Sequence, residues 1–97
     1  MATYLIQINW TEQGIRNIKD SPKRLDAAKK MLTDLGGEAK AFYMTQGASD
    51  ALLIVEVPTD EVLASFVLKI GSAGNVRTST VRAYAEDEYR RIIGGVS

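Results

Sequence analysis

The chain has 97 residues, 45% of them apolar and 25% charged, with twelve basic and twelve acidic side chains that cancel. Residues 1–97 make one ordinary globular domain, able to bury about two thirds of its unfolded surface and lacking a net field that would gather nucleic acid. There is no cysteine and no histidine, which excludes thiolate nucleophiles, Ser–His pairs, Cys-based zinc or iron–sulfur centres and imidazole haem ligands.

In chain order, the first extended run is Thr3 to Trp10, with Tyr4, Ile6, Ile8 and Trp10 on one face and Leu5, Gln7 and Asn9 on the other. The first set is expected to pack on helices. Thr11 to Asp20 predicts a short helical turn, and Ser21-Pro22 an N-cap followed by proline at the first helical position. Leu25, Ala28, Met31, Leu32 and Leu35 then recur at helical spacing, and Gly36-Gly37 ends the helix. The basic set Lys19, Lys23, Arg24, Lys29 and Lys30 is either a solvated helix face or a contact for an anion or partner.

Two further runs, Glu38 to Gln46 and Asp50 to Val57, flank the glycine-containing connection Gln46-Gly47-Ala48-Ser49-Asp50 and predict a hairpin. Ala51 to Val57 is almost continuously apolar, as expected of a central strand buried on both faces. Pro58 stops it, and Thr59 or Asp60 caps a second helix, Asp60 to Ile70, whose stripe is Leu63, Phe66, Val67 and Ile70. Leu68 lies off that stripe and is either an isolated exposed leucine or a subunit contact. The last strand, Asn75 to Tyr84, is the most polar; Val81 and Ala83 are expected to face the helices, with Thr80, Arg82 and Tyr84 opposite beside Gln7 and Asn9. Ala85 to Ile93 predicts a helical turn with acids first and Arg90-Arg91 last.

Strand, helix, strand, strand, helix, strand is the ferredoxin-like order, an α+β sandwich with a four-stranded antiparallel sheet and helices on one face. No apolar run approaches the length of about 18 residues that a membrane span needs, and the N-terminus shows no basic-then-apolar signal pattern. A cytoplasmic protein is expected, with neither membrane nor nucleic acid as partner. The two middle strands, the first and third, lack the exposed aromatics of an RNA-binding sheet. The Gly71-Ser72-Ala73-Gly74-Asn75 loop has neither the spacing nor the lysine of a phosphate loop and is read as a turn.

The stretch Asn9-Trp10-Thr11-Glu12-Gln13-Gly14-Ile15-Arg16-Asn17-Ile18-Lys19-Asp20-Ser21-Pro22-Lys23-Arg24 resembles the opening of GYD-domain proteins. Gly74-Asn75-Val76-Arg77-Thr78 and Glu86-Asp87-Glu88-Tyr89 resemble that family's later segments. The Gly-Tyr-Asp signature falls in the hairpin, where Gly47 and Asp50 are retained and Ser49 stands immediately before the aspartate. The resemblance implies kinship with the dimeric α/β-barrel proteins, whose sheets pair face to face across two subunits, and implies no assigned reaction.

Such pairing would enclose the sheet face no helix covers. Asn9, Tyr43, Arg82 and Tyr84 are the candidate ligand-binding residues there; Arg82 needs an anionic partner, either Glu56 or an anionic ligand. The expected function is a self-associating small-ligand-binding or structural assembly module, with itself as partner and a small anionic or aromatic ligand. The alternative is a cofactor-independent enzyme of monooxygenase or isomerase type acting on such a molecule between the sheets. No cofactor and no metal site are expected, and no catalytic residue is assigned.

Overall fold

The computed structural model describes every residue from Met1 to Ser97. Strand β1 (Ala2–Trp10) leads into helix α1 (Glu12–Arg16), a 3-10 turn (Ile18–Asp20) and helix α2 (Ser21–Asp34). Strands β2 (Glu38–Met44) and β3 (Ala51–Val57) form the hairpin, followed by helix α3 (Asp60–Ser72), strand β4 (Val76–Ala83) and helix α4 (Glu86–Gly94). The strands make one antiparallel sheet in the order β2-β3-β1-β4. This is the ferredoxin-like fold, with β1 and β3 in the middle as the chain order requires. No helix is long and apolar enough to cross a membrane.

Local chemistry sets most boundaries. Thr11 caps α1, its hydroxyl accepting from the Gly14 amide at 3.1 Å, and Thr59 caps α3 by accepting from Val62 at the same distance. Helix α2 starts one residue earlier than the Ser21-Pro22 pattern suggests. Asp20 occupies the cap position without a side-chain bond, because the preceding 3-10 turn delivers it already in helical conformation. After α2 the chain turns through Gly36 at a φ of 89°, where the Gly37 amide returns to Leu32 O at 2.9 Å.

The core lies between one face of the sheet and helices α2 and α3. Ile6, Ile8, Ala51, Leu53, Val55 and Val57 meet Leu32, Leu63 and Phe66 there, all at most 8% exposed. Burial of each larger side chain contributes about 1.5–3 kcal/mol relative to exposure. The central strand β3 alternates buried and half-buried residues, so it is covered on the helix side and open on the other.

The register corrects the expectation for β4. Arg82 pairs with Tyr4, and Thr80 with Ile6, so both point to the helix side. Val81 pairs with Leu5, and Ser79 with Gln7, on the open face. Side chains alternate with a period of two, so an assignment off by one residue exchanges the faces of a whole strand. Edge strand β4 is only half-covered on its helix side. Threonines are tolerated there, and Val81 is free to lie on the open face.

Helix α4 stands apart from the body. It buries no residue, and Tyr89, Ile92 and Ile93, with Val96 beyond its end, are all exposed. The radius of gyration is 14.6 Å, against about 12.5 Å for a compact domain of this length, as a projecting helix would produce.

Candidate functional site

The hairpin and two of the stretches that carry the family resemblance, 9–24 and 74–78, meet at one end of the sheet, while Glu86 to Tyr89 lies at the other, beside Arg82. The Thr11 amide donates to Asn75 O at 3.0 Å, the Thr11 hydroxyl to Gly74 O at 2.6 Å, and Gln13 Nε2 to Ala73 O at 3.0 Å and Asn75 Oδ1 at 3.1 Å. A Cβ added at Gly14 would lie 2.1 Å from Asn75 O, so only glycine permits this approach. The hairpin is fastened to the same end. Asp50 Oδ2 accepts from the Trp10 amide at 2.9 Å, and the Asp50 amide donates to Ile8 O at 2.9 Å and to Asn9 Oδ1 at 3.1 Å. Asp50 thus ties the end of β1 to the loop. Ser49 takes part through its carbonyl, which accepts from the Thr45 hydroxyl at 2.7 Å.

Beneath this junction, on the helix side, α2 and α3 leave an unfilled cavity of about 210 Å³ over the sheet. Trp10, Phe42 and Leu53 lie on its sheet side, Leu25, Ala28 and Met31 on α2, and Ile70 and Ala73 at the end of α3. Ala28, half-buried on the inner side of α2, presents only a methyl group to this space. Its wall is apolar except for Ser21, Arg24, Lys69 and Asn75, and it includes no carboxylate. The sequence reading missed this site. Its signals were a tryptophan on the helix-facing side of β1 and the small residue Ala28 within the apolar stripe of α2.

The predicted site residues do not converge. Asn9 is on the open face of β1, spent on the Asp50 amide. Tyr43 is on the open face of β2 opposite Leu52, in the row that continues through Gln7 and Ser79, and is exposed. Arg82 and Tyr84 do come together, at the far end of β1. The Arg82 guanidinium stands 4.3 Å from the centre of the Tyr84 ring and 5.6 Å from that of Tyr4. It also donates to Thr3 O at 3.2 Å and to Ala83 O.

Its carboxylate partner is Glu88 of α4, at 3.5 Å, rather than Glu56. Glu56 pairs with Thr3 on the open face, whereas Arg82 points to the helix side, so the sheet itself separates the two. Beside this pair the Tyr4 hydroxyl donates to the Asp60 carboxylate, and that hydrogen bond is the main cause of a phenol pKa raised above its ordinary value.

The open face carries Leu5, Leu52 and Ile54 on the middle strands, with Ala41, Tyr43 and Val81 on the edge strands. Leu5, Ala41, Leu52 and Ile54 are half-buried, and Tyr43 and Val81 are exposed. No helix covers this apolar strip.

Comparison with known proteins agrees with the fold. Residues 4–93 match the family model of the GYD domain. Over 84 residues the chain is 27% identical to the glutamine synthetase and cystathionine beta-lyase binding protein of Thermus thermophilus, covering 86% of this chain and 88% of that one. A feast or famine regulatory protein from M. tuberculosis, solved in complex with L-methionine, superposes with a TM-score of 0.67 at 20% identity over 88% of this chain. The chain spans 51% of that regulator's length. A hypothetical protein from Pyrococcus horikoshii superposes with a TM-score of 0.56 at 25% identity, over 88% of this chain and 92% of its own. These structures share the fold.

Proposed function

The chain belongs to the GYD-domain family, and from that premise we propose that it works by binding: two copies pair through their open sheet faces, and the assembly engages a small ligand or a protein partner. The observation that carries this reading is the uncovered apolar strip of Leu5, Leu52, Ile54 and Val81. Apolar surface left in water forgoes about 25 cal/mol for every square ångström that a partner would cover. A second copy presents the same strip, and a two-fold axis makes the surface complementary to itself. The resulting association is of the dimeric α/β-barrel type.

A protein partner is supported by the relative from Thermus thermophilus, whose name describes it as binding two enzymes. The alternative of a cofactor-independent enzyme has less behind it, since Asn9 and Tyr43 lie on the open face while Arg82 points to the helix side. Light scattering at low micromolar concentration should return the mass of a dimer or a multiple of it. Leu5→Lys should return a monomer with an unchanged circular dichroism spectrum. A monomeric parent chain at that concentration would refute the pairing.

A further inference from the structure

Charge on the open sheet face gathers at two opposite corners. Side chains alternate along each strand, so the register places Arg77 on this face beside Asn9, and Glu56 on it beside Thr3, at the far end of β1. Glu38 pairs directly with Glu56 and extends the acidic corner onto edge strand β2. The other two corners are uncharged, Ala83 on β4 and Tyr43 on β2, and the apolar strip lies between all four.

Each charged corner is short of a partner. Like charges set directly opposite on neighbouring strands destabilise a sheet, and the one ion pair at the acidic corner joins Glu38 to Lys40 at 3.6 Å. Half-buried Glu56 is left without a cation and exposed Arg77 without a carboxylate, since the ion pairs of the chain use Arg16, Lys30, Lys40, Arg82 and Arg90 with other acids.

We propose that, when two copies pair through their open faces, Arg77 of each copy meets Glu56 of the other, and that these two ion pairs set the angle at which the sheets cross. The inference rests on the sheet pairing and adds its register. A two-fold axis between the sheets that runs along the strands, or straight across them, sets each charged corner over an uncharged one, where charge loses water and gains no partner. An axis on the diagonal through the charged corners stacks like on like. The other diagonal brings unlike corners together twice, because a two-fold axis repeats every contact. It also turns the strands of one sheet steeply across those of the other, the orthogonal class of sheet packing. The apolar strip then supplies affinity, and the corners supply register.

Sedimentation velocity on a dilution series reads the dissociation constant of the dimer. Arg77→Glu and Glu56→Arg should each weaken the dimer by about tenfold, since each turns two modest attractions into repulsions. Both changes in one chain should restore the parent constant, and that double variant keeps the parent's net charge of zero. Equal amounts of the two single variants should also dimerise on mixing, because every corner contact of the mixed pair joins unlike charges. Raising sodium chloride from about 0.05 M to about 0.5 M should weaken the parent dimer more than that of Arg77→Gln, which has no corner attraction left to screen.

A parent dimer that both reversals leave unchanged would overturn the corner pairing and spare the sheet pairing. So would a loss that neither the double variant nor mixing restores. A parent chain that is monomeric throughout would overturn both. Where circular dichroism shows that a reversal does not fold, Arg77→Gln decides, and a salt response equal to the parent's would overturn the proposal.

Discussion

At Gly14 the chain has no room for a side chain. Alanine there would place a Cβ 2.1 Å from a backbone oxygen of Asn75, and backbone cannot swing aside as a flexible side chain would. The small gain in helix propensity is outweighed by an overpacking cost of about 1–3 kcal/mol. Gly14→Ala should therefore lower the urea midpoint of unfolding without changing its slope; an unchanged midpoint would show that the loop yields freely.

Tyr4 makes a second residue-scale prediction. The folded chain holds its phenolic proton more tightly than the unfolded chain does, chiefly through the bond to Asp60. The stability this contributes is complete below the unfolded value near 10.0 and is lost as the pH rises through that value towards the folded one. Urea denaturation followed from neutral to about pH 11 should show a steeper alkaline loss for the parent chain than for Tyr4→Phe. Equal slopes would remove the Tyr4–Asp60 bond as a source of stability.

Among the elements, α4 is the one held by the least. Arg82 and Glu88 join it to the end of β4, with side chains 31% and 21% exposed, and nothing on the helix is buried. An ion pair in that setting contributes on the order of 1 kcal/mol or less, enough to bias a local opening but not to alter the body of the domain. Glu88→Gln should speed tryptic cleavage at Arg90 and Arg91 several-fold while leaving the urea midpoint of the sheet and its two long helices in place. Unchanged cleavage would mean that other contacts seat α4. The other helices were more legible from local pattern: the apolar stripe of α2 stands where residue spacing put it, and of the two candidates for the cap of α3, Thr59 and Asp60, the structure selects Thr59. The start of α2 differed by one residue because the 3-10 turn before it already holds Asp20 in helical conformation.

For the whole molecule, the division of the sheet into a covered and an open face governs what the domain can do. If the open faces pair as proposed, folding and association are linked, and the midpoint of thermal unfolding should rise with protein concentration. A midpoint independent of concentration over a hundredfold dilution from about 100 times the dissociation constant would contradict that linkage. The candidate site was less legible than the fold. Asn9 and Tyr43 were placed on the open face correctly, but Arg82 was placed there too, and the cavity was not anticipated.

What the sequence by itself determined is the set of elements, their order and the fold they make, since caps, periodicity and glycine turns act over a few residues. The absence of histidine and cysteine likewise bounded the chemistry without any coordinates. Tertiary structure alone decided the face of β4, because alternation leaves two choices and only the register against β1 selects one. It decided the partner of Arg82 by setting Glu56 on the other side of the sheet and Glu88 beside it. It also decided the cavity, a volume defined by what α2 and α3 fail to fill, and no local pattern of residues encodes an empty space.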